Sequence, residues 1–303
     1  MNRSRVYAMP VLGRYGLTHG LLAWARCRVW CEQNGAAMIA PFWLKLRVGP
    51  YLRRERDKRN YFMLFNGGGA ISGIGRLLTL GRARRIEVGT EWPANPSEEG
   101  GSPVLMRFHN AMKDNEKKSF SQILGHGAFL RREVLAMTRQ RYHPSVPNDP
   151  FVAIHVRMGD FTPISSQGEV GAEATNTRLP IDWYGDRLDA LRRSLGHEIQ
   201  AIVFSDGSDE DLEPLLRRSG VNRAAKQQSI TDLLTIGHGV ALIASGSGFS
   251  LWGAFLGSVP RISYPGQSIV PIDKDETRDI ELSFGENIPQ TFAKHVQLRM
   301  ADK

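Results

Sequence analysis

The chain has 303 residues, 41% of them apolar and 23% charged, which is more than one hydrophobic core usually serves, so two lobes are expected. Its 39 Lys and Arg against 31 Asp and Glu give +8 at neutral pH and favour a partner that carries phosphate or another anion. Two cysteines exclude a disulfide framework, and the longest charge-free run, 239–260, holds five Gly and four Ser, too many for a membrane span.

Residues 6–12 read as a strand, GRYGLTHG as a tight loop, LLAWARCRVWCEQNG as an amphipathic helix stopped by Asn34 and Gly35, and AAMIAP as a second strand. Arg3 and Arg5 precede a segment that Pro10 interrupts, which suits a first core strand better than a secretory signal. Strand, helix and strand in succession imply a parallel sheet with crossover helices. Cys27 and Cys31, four apart on the helix, are expected to pack as free thiols, as in a reducing compartment. Trp24, Trp30, Trp252 and Phe255 lie at helical spacings and are expected in the core.

A basic run follows, with Arg53, Arg54, Arg56, Lys58 and Arg59 read as a solvated face and an anionic-lipid or anionic-acceptor role as the alternative. YFMLF then reads as a strand. NGGGAISGIG, residues 66–75, has neither the Lys-Ser/Thr of a P-loop nor the spacing of a dinucleotide fingerprint, so it is expected to be a flexible cleft loop. One helix is expected over 116–140. Three prolines in RYHPSVPNDP then set a domain boundary near 149, giving lobes 1–149 and 150–303.

The second lobe reads as strand FVAIHVRM, helix LPIDWYGDRLDALRRSLG, strand AIVFSD, helix DLEPLLRRSG, short helix ITDLLTIGHG, strand VALIAS, helix GFSLWGAFLG and final strand RISYPG. Such alternation describes a doubly wound lobe whose strands deliver their last residues to one edge of the sheet. The period of two along the first strand sets His155 and Arg157 on one face and Val152, Ile154 and Val156 on the other. An always-charged guanidinium at that tip is placed to fork onto phosphate oxygens, and a structural pair between Arg157 and Asp160 is the simpler alternative.

Two more tips add to it. VFSDG brings Ser205 and Asp206, a carboxylate able to accept from a guanine edge or a ribose hydroxyl, and IASGSGFS brings Ser247, Gly248, Phe249 and Ser250 to a helix N-terminus, where backbone N–H groups attract anions. A cation, a carboxylate and an amide nest together describe a nucleotide-diphosphate pocket. The acidic triplet 209–211 is read as a cap for the next helix, with an Asp-x-Asp metal site as the alternative. Ser247 and Ser250 lack the strand-to-helix elbow of a hydrolase nucleophile.

In order and wording these pieces resemble the fucosyltransferase superfamily, in particular the α-1,2-fucosyltransferases and their α-1,6 and protein O-fucosyltransferase relatives. HVRMGD is similar to the family's His-x-Arg-Arg-x-Asp motif, VFSD to its second motif, SGSGFSLWGAFL to its Asn-Ser-Thr/Ser-Phe-Ser-Trp-Trp-Gly-Ala-Trp-Leu segment, and YGLTHGLLAWARC to its Gly-Gly-Leu-Gly-Asn loop with the helix after it. Met158 stands where the motif has its second arginine. Gly246 and Gly248 replace Asn and Ser/Thr, and Thr18 and His19 replace Gly and Asn.

The resemblance implies an α/β fold of the GT-B type, two Rossmann-like lobes facing a central cleft, with the acceptor on the N-terminal side and a GDP-sugar in the C-terminal lobe. It implies an inverting, metal-independent transfer of fucose from GDP-fucose to a glycan hydroxyl, with GDP-fucose as substrate and no cofactor. Arg157 would grip the β-phosphate, His155 and Asp206, beside Ser205, would hold the guanine, and Ser250 with the amides of 247–249 would meet the phosphate. Asp160 would brace the arginine loop, and Gly16 and His19 would belong to the acceptor-side loop. Asp160, Glu169 and His19 are candidate general bases by location. The setting implied is a cytoplasmic enzyme of surface-polysaccharide synthesis that binds no nucleic acid, with peripheral membrane attachment as a further role of its basic surface. Another nucleotide sugar on the same fold is the first alternative, and a non-catalytic anion or nucleic-acid binding module resting on the +8 charge is the second.

Overall fold

A computed structural model of the chain describes residues 6–13, 16–43, 61–96, 103–109, 116–159, 161–163, 177–268 and 270–303. The chain divides into two compact units, Met1–His143 and Pro144–Lys303, so the division falls inside RYHPSVPNDP, at the first of its three prolines.

The N-terminal unit runs β1 (Val6–Val11), α1 (Leu17–Asn34), β2 (Ala37–Met38), α2 (Gly73–Arg82), β3 (Arg84–Val88), β4 (Val104–His109), α3 (Glu116–Ser121) and α4 (Gly127–Met137). Its sheet is parallel throughout, in the order β2-β1-β4-β3. Helix α1 is buried along most of its length, Trp24, Cys27, Trp30 and Cys31 included, and both cysteines are free thiols. It ends where Gly35 takes the left-handed conformation at φ 60°. Arg26 on the same helix is wholly buried, its Nε donating to Gln122 at 2.7 Å and its Nη2 to the carbonyls of Gly89 at 2.8 Å and Thr90 at 3.1 Å. Burial pushes its pKa down to about 10, so it stays charged at neutral pH.

Several expectations fail here for local reasons. The stretch GRYGLTHG is not all loop, because α1 already starts at Leu17 and holds Thr18 and His19. YFMLF forms a turn rather than a strand: Tyr61, Leu64 and Phe65 are buried while Phe62 and Met63 are exposed, a spacing closer to helical than alternating. The glycine-rich segment is loop only to Ser72, after which α2 begins. The single helix expected over 116–140 is two, α3 and α4, because Gly125 adopts φ 85° and turns the chain between them. The basic run 53–59 lies outside the described residues.

The C-terminal unit runs β5 (Phe151–Val156), β6 (Thr162–Pro163), β7 (Thr177–Arg178), α5 (Ile181–Leu195), β8 (Gln200–Ser205), α6 (Asp209–Leu216), β9 (Val221–Arg223), α7 (Ser229–Ile236), β10 (Ala241–Ala244), α8 (Gly248–Gly257), β11 (Arg261–Ser263), β12 (Asp279–Glu281) and α9 (Gln290–Ala301). Six strands form a parallel sheet in the order β12-β11-β10-β5-β8-β9. Numbered within the sheet this is 3-2-1-4-5-6 read from the β9 edge, the order of dinucleotide-binding sheets, with the direction of winding reversing between β5 and β10. RISYPG is therefore not the final strand. The short strands β9 and β12 went unread because three residues carry too little alternation to register.

Val152, Ile154 and Val156 pack with Trp183, Leu188 and Leu191 of α5 and Phe292 and Val296 of α9 in a continuous core. On the other side α8 and α7 approach closely: a Cβ on Gly253 would lie 2.6 Å from the Ile236 side chain, and one on Gly257 would overlap the backbone of Gly237. These contacts account for two of the five glycines of the charge-free run. Among the described residues no helix is long and apolar enough to cross a membrane. The acidic triplet caps α6, where Ser208 Oγ accepts from the Asp211 amide at 3.1 Å and Asp211 accepts from the Ser208 amide at 3.1 Å.

Candidate functional site at the strand tips of the C-terminal unit

Strand β5 pairs with β10 on one side, His155 opposite Ala244, and with β8 on the other, Val156 opposite Ser205. That register brings three tips together at the carboxyl edge, on either side of the β5–β10 reversal where doubly wound sheets take their ligands.

His155 is buried at 6% exposure. Its Nδ1 lies 2.6 Å from Ser250 Oγ and 2.9 Å from Ser245 Oγ, and its ring stacks on Phe249 with centroids 5.0 Å apart. Burial, reinforced by the neighbouring Arg157 charge, pulls its pKa down to about 3, so the imidazole is neutral at physiological pH. Ser247 caps α8, its Oγ accepting from the Ser250 amide at 3.3 Å, and sets the half-buried Gly248 and Phe249 at the helix N-terminus. A Cβ on Gly246 would run into Gln267 Oε1, so the Gln267 side chain would have to move to admit one.

Arg157 follows the last residue of β5 and is 32% exposed. Its Nη1 pairs with Asp206 Oδ2 at 2.7 Å, and its guanidinium lies 5.8 Å from the Phe161 ring centroid. Asp206 does more than hold this charge: Oδ1 accepts from the Met158 amide at 2.8 Å and Oδ2 from the Gly159 amide at 3.2 Å. A Cβ on residue 159 would sit 2.5 Å from that carboxylate, which is why glycine stands there. Ser205 Oγ accepts from the Gly207 amide at 3.0 Å and shapes the turn after β8.

Two arginines that the sequence reading passed over tie these turns down. Arg178 of β7 donates through Nε to the Met158 carbonyl at 2.6 Å, and Arg223 of β9 donates through Nη2 to the Gly207 carbonyl at 2.6 Å. Neither sits in a motif, and each acts through a backbone carbonyl that no side-chain pattern marks.

The structure thus brings His155, Arg157, Ser205, Asp206 and 247–250 to one edge. Asp206 braces the arginine loop, its oxygens taking two amides and a guanidinium; Asp160, expected in that place, lies outside the described residues, as does Glu169. Ser250 does not face outward. It is wholly buried, its Oγ set against the His155 ring. Gly16 and His19 belong to the N-terminal unit, Gly16 as the residue before α1 and His19 in its first turn.

No family model matches this chain and no curated protein matches it. Among solved structures it is similar to fucosyltransferase NodZ from Bradyrhizobium, at 11% identity and TM-score 0.47 over 87% of this chain and 95% of that one. It is similar also to a variant of Arabidopsis thaliana FUT1 in complex with GDP, at 11% identity and TM-score 0.47 over 86% and 71%, and to POFUT1 in complex with GDP-fucose, at 11% and 0.40 over 85% and 96%. Likeness at this level assigns no role to a residue of this chain.

Proposed function

We propose that the chain is an inverting glycosyltransferase that takes fucose from GDP-fucose to a glycan hydroxyl, with the donor diphosphate held by the C-terminal unit. One observation carries this reading: a partly exposed guanidinium, Arg157, stands at the reversal point of a nucleotide-type sheet, across the β5–β10 junction from the N-terminus of α8. The guanine and the fucose come from the motif resemblance, in which four segments recur in the family's order.

In the transfer, the acceptor oxygen bonds to the anomeric carbon while the bond from that carbon to the diphosphate oxygen breaks, and the acceptor proton passes to a base. Charge gathers on the departing diphosphate, and stabilising it is the main catalytic task. Arg157 and the Gly248 and Phe249 amides are the groups proposed to do so, without a metal. Asp206 acts as a positioning residue that fixes the guanidinium and the 158–159 turn together. A neutral His155 adds no competing positive charge beside Arg157.

A second reading is favoured by the same carboxylate. Asp206, expected to accept from guanine, is engaged by Arg157 and two amides, so a donor with another base on the same fold is the alternative. Calorimetry with GDP and with UDP separates the two. GDP is expected to bind the native protein, UDP at least about tenfold more weakly, and Arg157→Ala to weaken GDP by about tenfold to a hundredfold, the worth of a charge-assisted hydrogen-bonded contact. Equal binding of GDP and UDP would discard the guanine assignment, and unchanged GDP binding by Arg157→Ala would discard the site.

A further inference from the structure

Helix α2 of the N-terminal unit carries its apolar side outward. Positions 74, 77, 78 and 81, spaced as one face of a helix, hold Ile74, Leu77, Leu78 and Gly81, and all are exposed, Ile74 by 76% and Leu77 by 69%. The opposite stripe, Arg76, Thr79, Leu80 and Ala83, is the half-buried one. A surface helix of a water-soluble domain ordinarily does the reverse, its apolar stripe facing the core.

Charge indicates what covers this face. No acidic residue occurs from 73 to 86, whereas Arg76, Arg82, Arg84 and Arg85 do, in a chain of net charge +8. Arg82 follows Leu78 by four residues and so borders the apolar stripe. A second copy of the chain is disfavoured as the occupant, because a two-fold contact through α2 would set both arginine groups against each other. A short helix with aliphatic residues on one side and arginines at its margin suits the interface of an anionic bilayer, where acyl chains take the first and headgroup phosphates the second.

We propose that α2 lies in the plane of an anionic phospholipid membrane surface, inserting Ile74, Leu77 and Leu78 and pairing Arg82 and its neighbours with headgroup phosphates. Docking of this kind is independent of what the C-terminal unit binds. It holds the N-terminal unit against a lipid surface.

The test is co-sedimentation of the full chain with vesicles of phosphatidylcholine alone and of phosphatidylcholine mixed with phosphatidylglycerol. Native protein is expected to bind the mixed vesicles, several-fold more weakly as salt rises, and the neutral vesicles less. The double variant Ile74→Glu/Leu77→Glu is expected to lose more than about tenfold of that binding while melting as the native protein does, since both side chains are in solvent. Binding that persists in the double variant would place the attraction on charges elsewhere and overturn the proposal. So would native protein that ignores anionic vesicles, or sedimentation equilibrium showing a native dimer that the double variant turns into a monomer.

Discussion

At the carboxyl edge of the N-terminal sheet, backbone carbonyls converge on Arg26, which is wholly buried and donates to Gly89 and Thr90 as well as to Gln122. At the same edge of the C-terminal sheet that clamping is done by Arg178 and Arg223, on the carbonyls of Met158 and Gly207, while Arg157 sits a third exposed against a carboxylate. One residue type thus does two jobs. A guanidinium sunk among neutral carbonyls closes a sheet edge, because no ligand oxygen can reach it. One left a third exposed at the rim, paired with a carboxylate, keeps a side open to solvent and can share its charge with a second anion.

The largest effect should separate these two arginines by stability. Arg26→Met removes the wholly buried guanidinium and its bonds to Gln122 and to the Gly89 and Thr90 carbonyls and is expected to cost about 3 kcal/mol or more in urea unfolding, whereas Arg157→Met, removing a partly exposed pair, should cost less than about 1 kcal/mol. Equal losses would erase the distinction between clamp and rim. A middle-sized effect is expected at Asp206→Asn, which weakens its bonds to Arg157 and to the Met158 and Gly159 amides. About 1–3 kcal/mol of stability should go, together with GDP affinity, as Arg157 loses its fixed direction. If affinity survives while stability falls, Asp206 serves the fold alone.

The smallest effect concerns pH. His155 is neutral in the native protein with a pKa near 3, and takes up a proton near pH 6.5 once unfolded. The unfolded state therefore binds more protons between these values. The contribution is full above about pH 6.5 and is lost as pH falls, by at most about 1.4 kcal/mol per unit. His155→Asn should accordingly lose less stability than the native protein between pH 6.5 and 5 in parallel thermal melts. Identical slopes would mean that His155 is not held neutral by its surroundings.

Much of this site was legible from local pattern. Alternation along FVAIHVRM placed His155 and Arg157 opposite Val152, Ile154 and Val156, and the core on α5 and α9 agrees. Asn34, Gly35 and Gly196 marked where helices stop, and the acidic run after Ser208 marked where one starts. Local pattern failed where the deciding partner lay elsewhere. Gly125 broke a helix that propensity extended, YFMLF curled because only three of its five side chains find a core, and the inward side of α2 cannot be told from its outward side by periodicity alone.

Chain order and residue type by themselves set the parallel α/β architecture, the strand tips and the chemistry each tip can offer, because side-chain direction repeats every two residues in a strand and every turn in a helix. Tertiary structure decided which partner each group met: that Arg157 pairs with Asp206 just after β8, that Ser250 turns inward to His155, and that Arg26 gathers the ends of a sheet. Those pairings depend on which strands lie side by side, and strand order is fixed by the packing of the whole unit, which no short stretch of sequence encodes.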